Sequence, residues 1–244
     1  LAHWPRPLRL CYAGQVLRVK GSAVRPARQF GQAGAELIGA EGAGADVEAI
    51  AVAAEALLGV GVPNLSVDLT MPTTAAAIAE AFDIPRDQGT ALRAALDHKD
   101  AAAVAALGGE AGALLTRLVA ASGGAAQAWA ALRRLALPEG ARAERDHLGA
   151  GLEGLAAAMP GLMVTVDPVE NRGFEYHTGI SFTFFAQRGA PGELGRGGRY
   201  DAGDRERPEP ATGFTLYTDM ILSTLPAARP RKRLLLPLGT LSVN

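Results

Sequence analysis

Apolar residues alternate loosely along the first segment: Leu8, Leu10, Tyr12 and, past Gly14, Val16. A period of two predicts a strand over 8–18. A return strand follows over 30–38, giving an antiparallel hairpin whose long loop, Lys20 to Arg28, is basic. Beyond glycines 39, 42 and 44 the period lengthens, and Val47, Ile50, Ala54 and Leu57 recur at helical spacing. Asp46 is placed to cap that helix, and Gly59 and Pro63 end it. Leu65, Val67 and Leu69 then alternate as a short strand that could join the same sheet. Residues 73–158 read as alanine- and leucine-rich helices, broken at Pro85, Gly108-Gly109, Gly123-Gly124 and Pro138. Strands resume over 162–166, 180–186 and 213–217. In the second of these, Ile180, Phe182 and Phe184 share one face and Ser181 and Thr183 the other, so a polar face is offered to a pocket. Residues 203–210, polar and interrupted by Pro208 and Pro210, read as a mobile loop. Hairpin, helix, strand, helical block and further strands make an α+β chain.

Composition narrows the class. With 48% apolar and 20% charged residues over 244 positions, the chain can bury a substantial core as one large domain or two small ones. Aromatics are only 5%, so close-packed helices of small residues are expected to fill much of the interior. A formal charge of −1 leaves no overall footprint for nucleic acid. Locally, Arg6, Arg9, Arg18, Lys20, Arg25 and Arg28 all precede the first acid, Glu36, which fits either an anion site or a solvated basic face. Cys11 is the single cysteine, which excludes an internal disulfide, points to a reducing cytoplasm and implies a small buried apolar residue. No apolar run approaches the roughly 18 residues of a membrane span. Leu1 to Pro5 does not read as a signal peptide, and without an initiator methionine the chain is expected to begin inside a longer one. His3, His98, His147 and His177 are scattered without metal-ligand spacing, and no phosphate loop, dinucleotide fingerprint or Gly-x-Ser-x-Gly occurs. No metal or cofactor is expected.

Chemistry concentrates in three separated segments. Leu17-Arg18-Val19-Lys20 leads through the hairpin to Gln32 and Glu36, two polar residues on one strand face that suit a solvated surface or a pocket wall. Asn171-Arg172-Gly173-Phe174-Glu175-Tyr176-His177-Thr178-Gly179 and Gly195-Arg196-Gly197-Gly198-Arg199-Tyr200-Asp201 bring cations, a carboxylate, aromatics and glycines around one short strand. There, Gly195, Gly197 and Gly198 would let backbone approach a ligand closely. Ala211-Thr212-Gly213-Phe214-Thr215-Leu216-Tyr217-Thr218-Asp219-Met220 leads a strand into a helix.

In that order the segments resemble the second signature, the paired histidine-recognition segments and the third signature of histidyl-tRNA synthetases. They equally resemble a non-catalytic relative of those enzymes, the regulatory subunit of ATP phosphoribosyltransferase. The resemblance runs over nearly the whole chain. It implies a class II aminoacyl-tRNA synthetase-like antiparallel sheet flanked by helices, with a helical insertion at roughly 73–158 inside a core over 1–228. Residues 229–244 would then be a basic linker and the first strand of a further segment. The family's first signature, a dimer-forming helix and strand, would precede Leu1, so self-association is expected of the full-length protein.

Carried over residue by residue, the resemblance makes Arg18 the grip on an ATP α-phosphate. Gln32 and Glu36 become contacts to the amino group and imidazole of histidine, and Arg172 the contact to its carboxylate. Tyr176 and His177 match a tyrosine pair whose second member touches the imidazole, so His177 departs from the pattern. Tyr200 lines the same pocket. Three further departures fall on the nucleotide side: Lys20 stands where an acid is usual, Tyr217 where glycine is, and Met220 where a phosphate-gripping arginine is. A thioether cannot neutralise a triphosphate, and one lost hydrogen bond to a charged group costs about 1.5–3 kcal/mol. The resemblance therefore implies a protein that has abandoned adenylation. The expectation is a non-catalytic regulatory subunit that partners the short catalytic subunit of ATP phosphoribosyltransferase, with histidine as effector. The catalytic core of a histidyl-tRNA synthetase is the alternative, and a stand-alone amino-acid-binding module a third reading.

Overall fold

The computed structural model describes residues 3–19, 27–170, 176–186, 192–204 and 206–226. The chain opens with the expected hairpin, β1 (Leu8–Leu17) and β2 (Gln29–Ile38), then α1 (Ala43–Gly59) and β3 (Leu65–Thr70). The helical block comprises α2 (Thr74–Ala81), α3 (Arg86–Asp97), α4 (Ala101–Ala105), α5 (Gly109–Val119), α6 (Ala125–Leu132) and α7 (Glu139–Ala158). The two-residue strand β4 (Gly123–Gly124) interrupts it. Then come β5 (Met163–Asp167), β6 (His177–Ala186), β7 (Gly195–Asp204), β8 (Arg207–Tyr217) and α8 (Thr218–Thr224). Among the described residues no helix is long and apolar enough to cross a membrane.

The strands form one sheet in the order β1-β2-β8-β7-β6-β3-β5-β4. Its pairs are antiparallel except β3 with β5, which run parallel because the helical block returns the chain in the same direction. On the helix-covered side Val67, Leu69, Phe182 and Phe184 meet Ile50, Leu57, Leu148 and Leu155, all buried. Each such side chain contributes about 1.5–3 kcal/mol of apolar burial. The small-residue packing of the helices is visible where α7 crosses its neighbours. A Cβ at Gly149 would lie 2.5 Å from the Trp129 ring, and one at Gly154 would lie 2.8 Å from Val47. Lys99, in the turn before α4, pairs with Asp167, whose Oδ1 also accepts the Val169 and Glu170 N–H groups at 3.2 Å each. That contact fastens the helical block to the end of β5.

Four expectations are corrected. Asp46 does not cap α1, whose N-cap is Gly42; it lies within the first turn and is drawn beneath the sheet by partners on β7 and β8. Residues 203, 204 and 207–210 are strand and not loop: β7 and β8 pair down to Asp204↔Arg207, with Gly203, opposite Pro208, at φ +90°. Pro208 and Pro210 are accommodated near the β7–β8 reversal, before the stretch Ala211 to Tyr217 over which β8 also pairs with β2, so that edge requires no ladder N–H from them. Cys11 is exposed, because β1 is the sheet's outermost strand. Ser181 and Thr183 share the cavity's face of the sheet, across from Gly198 and Arg196, but both are buried and neither lines the cavity.

Candidate functional site

The uncovered side of the β1–β2–β8–β7–β6 half-sheet holds a cavity of about 440 Å³. Five of the residues singled out from sequence as histidine contacts converge on it: Gln32 and Glu36 from β2, Tyr176 and His177 at the start of β6, and Tyr200 from β7. Arg18 closes the β1 side. Arg172 lies outside the described residues.

Register explains the convergence. Glu36 pairs with Gly213 and His177 with Tyr200, while Gly198 and Gly213 face each other across β7 and β8. A Cβ at Gly213 would collide with the Glu36 carboxylate, and one at Gly198 would sit 2.7 Å from the His177 ring. Gly197 likewise makes way for the Phe182 ring. These glycines therefore make room for the protein's own side chains, and Gly197, Gly198 and Gly213 also line the cavity.

The electrostatics follow from this packing. The Tyr200 hydroxyl donates to Glu36 Oε2 at 2.8 Å. Burial pushes the Glu36 carboxyl up from its usual range, and the Tyr200 bond opposes the rise. Burial first, then the hydrogen bond to Glu36, pushes the Tyr200 phenol up. His177 is 5% exposed, and burial, with the nearby Arg196 charge, lowers it to about 4, so its ring is neutral at pH 7. Tyr176, 63% exposed, forms the rim; its ring lies 4.1 Å from His177 and edge-on to Tyr200 at 6.2 Å. The arrangement offers a carboxylate at one end, aromatic walls and a neutral imidazole, which suits a small polar cation or zwitterion.

Arg196 is the cavity residue that the sequence reading passed over. Its Nε donates to the Tyr217 hydroxyl at 3.1 Å and its Nη2 to Glu193 Oε1 at 2.8 Å. The signal was present: in Arg196-Gly197-Gly198-Arg199-Tyr200, a period of two puts Arg196, Gly198 and Tyr200 on one strand face. Tyr217 stands on the wall of the same cavity. It is 6% exposed, packs edge-on against Phe30 at 6.0 Å, and lies 5.8 Å from the Arg18 guanidinium, which rests 4.5 Å over Phe30. Met220, one turn on, is equally buried. Among the described residues no group of three or more His, Cys, Asp or Glu could hold a metal ion.

The family model for histidyl-tRNA synthetase matches residues 1–221. The chain belongs to the histidyl-tRNA synthetase family. Within that family it is 58% identical over 240 residues to a protein of Paramagnetospirillum magneticum named ATP phosphoribosyltransferase regulatory subunit, covering 98% of this chain and 62% of the relative. A protein of Rhodospirillum centenum with the same name is 54% identical over 236 residues, covering 97% of this chain and 60% of its own. The chain therefore spans about three-fifths of the length of these curated relatives. A solved regulatory subunit/histidyl-tRNA synthetase from Bacillus halodurans superposes with a TM-score of 0.79 at 27% identity, covering 91% of this chain and 60% of that one. An ATP phosphoribosyl transferase complex from Thermotoga maritima gives 0.70 at 18% identity, covering 86% and 73%, a likeness of fold alone. The family's class II architecture is thus present, as a mixed eight-stranded sheet flanked by helices.

Proposed function

We propose that the protein is the non-catalytic regulatory subunit of ATP phosphoribosyltransferase. In this reading it docks with the short catalytic subunit, is required for that subunit's activity, and carries feedback from histidine to the first step of histidine biosynthesis. One asymmetry carries the proposal. The residues for a small zwitterion line the cavity, whereas Tyr217 stands on its wall where glycine is usual and Met220 is buried where a nucleotide-binding arginine would serve. The names of relatives at 58% and 54% identity support it.

Glu36 and Gln32 would receive the amino group and imidazole of histidine, with His177, Tyr176 and Tyr200 around the ring. Arg172 would take the carboxylate, for which a planar guanidinium is well suited. Feedback requires histidine to bind the active and inhibited assemblies with different affinity. Self-association of the full-length protein and a cytoplasmic location belong to the same reading.

The complete protein, reconstituted with the catalytic subunit, is expected to raise phosphoribosyltransferase activity and to make it sensitive to added L-histidine. Arg172→Ala should weaken that sensitivity without unfolding the domain. A second reading, a histidyl-tRNA synthetase core, is favoured by the family match itself. Histidine-dependent ATP–pyrophosphate exchange by the complete protein would establish it in place of the first.

A further inference from the structure

On the helix-covered side of the sheet, directly behind the pocket, lies a buried cluster of charged and polar groups that the proposed function does not use. Asp46, in the first turn of α1, is 2% exposed. Its Oδ1 accepts from Arg199 Nη2 and from Thr212 Oγ1, each at 2.8 Å, and its Oδ2 contacts His147 of α7. Arg199 in turn donates to the carbonyl oxygens of Gly42 at 2.7 Å and Ala40 at 3.4 Å. Four elements, α1, α7, β7 and β8, thus meet at one carboxylate.

The register sets this cluster against the pocket. Arg199 pairs with Thr212, and their neighbours on the opposite face are Gly198 and Tyr200 of β7 and Gly213 of β8. Those neighbours form the pocket floor: Gly213 admits Glu36, Gly198 admits His177, and Tyr200 holds Glu36. The Arg199 side chain also packs on Gly179, where a Cβ would meet its Cδ at 3.0 Å, inside the register shift that aims His177.

We infer that Asp46 is a positioning residue for the pocket: through Arg199 and Thr212 it locks β7 and β8 from behind, and so fixes Tyr200, Glu36 and His177 in place. Adjacent residues on a strand point to opposite faces, so immobilising Arg199 leaves Tyr200 little freedom to shift. A buried, paired charge suits this role, because releasing one partner leaves the other uncompensated. The arrangement also joins the pocket floor to α7 through His147, which gives the outer helices a physical connection to ligand occupancy.

The test uses the full-length protein and two readouts. Hydrogen exchange on the ligand-free protein reads the clamp, and calorimetry with L-histidine reads the pocket; the second rests on the function proposed above. Asp46→Asn keeps the side chain's shape and removes its charge. It is expected to weaken L-histidine binding about tenfold and to speed exchange in segments 195–204 and 207–217. Thr212→Val removes one donor only and should cost about threefold, which keeps the test available if Asp46→Asn does not fold. In a Tyr200→Phe background the same substitutions should cost less than in the wild type, because one of the contacts they position is already gone. Fully additive losses, or unchanged exchange in those two segments, would overturn the inference. If the unaltered protein takes up no L-histidine, the proposed function falls, and the exchange data alone still decide for or against the clamp.

Discussion

At the scale of single residues, His177 is the departure with the most measurable consequence. Its folded-state value of about 4 lies below the ordinary 6.5. Above pH 6.5 the ring is neutral folded or unfolded; as pH falls toward 4 the unfolded chain takes up a proton that the folded chain refuses. Stability attributable to His177 is therefore complete above pH 6.5 and declines through that window. Glu36, raised by burial, works in the opposite sense as it protonates, so the wild type alone would mix the two. The difference in unfolding free energy between wild type and His177→Gln, measured by denaturant titration across that range, is expected to shrink steadily on acidification. A difference that stayed flat would mean the ring is solvated. Tyr200→Phe tests the neighbouring contact, since it leaves the half-buried Glu36 carboxylate without its phenol donor. A stability loss of about 1–3 kcal/mol is expected, together with weaker L-histidine binding by calorimetry.

At the scale of elements, the chain separates what fixes the fold from what fixes the site. Gly149→Ala should push a Cβ against the Trp129 ring where α7 meets α6, and lower stability by about 1–3 kcal/mol. Because Gly149 meets Trp129 and neither residue lines the cavity, the loss of L-histidine affinity measured well below the melting temperature should be smaller than that of Gly198→Ala. Gly198→Ala is the counterpart: it displaces the His177 ring and should weaken binding even where the protein stays folded. This division also explains how much could be read without a structure. The hairpin, α1 and β3 were legible through periods of two and 3.6, and the helical block through its alanine- and leucine-rich composition. The β7–β8 reversal was not, because glycine and proline punctuate a continuous hairpin and mimic a loop. Gln32, Glu36, Tyr200 and Tyr176 could be named in advance through resemblance and strand parity. Arg196 was hidden by its glycine-rich surroundings. Asp46 was mistaken for a cap because an acid near a helix start satisfies the capping pattern whether it faces solvent or the sheet. No local rule tells those apart, since its partners come from β7, β8 and α7, all more than a hundred residues away.

At the scale of the whole molecule, the question is whether one half of a two-ligand site has been converted into a plug. Tyr217 is held by Phe30 on one side and by the Arg196 guanidinium on the other, and Arg18 stacks over Phe30 at the cavity's β1 side. Removing the phenol alone would leave those cations without its hydroxyl and ring, but it would not supply the missing charge at Met220. The two changes should therefore act together. Tyr217→Gly is expected to yield little ATP binding by equilibrium dialysis, Met220→Arg none while the ring remains, and the double variant measurable binding. Non-additivity of this kind is what a shared cavity imposes, because the arginine can act only on a ligand that fits. Phosphate charge stabilised by fixed donors is the larger demand of adenylation, and Lys20 remains uncorrected in the double variant, so pyrophosphate exchange should stay absent even where ATP binds. If Tyr217→Gly alone admitted ATP and started exchange, the loss would lie in bulk and not in charge, and the protein would stand one substitution from the catalytic branch of its family.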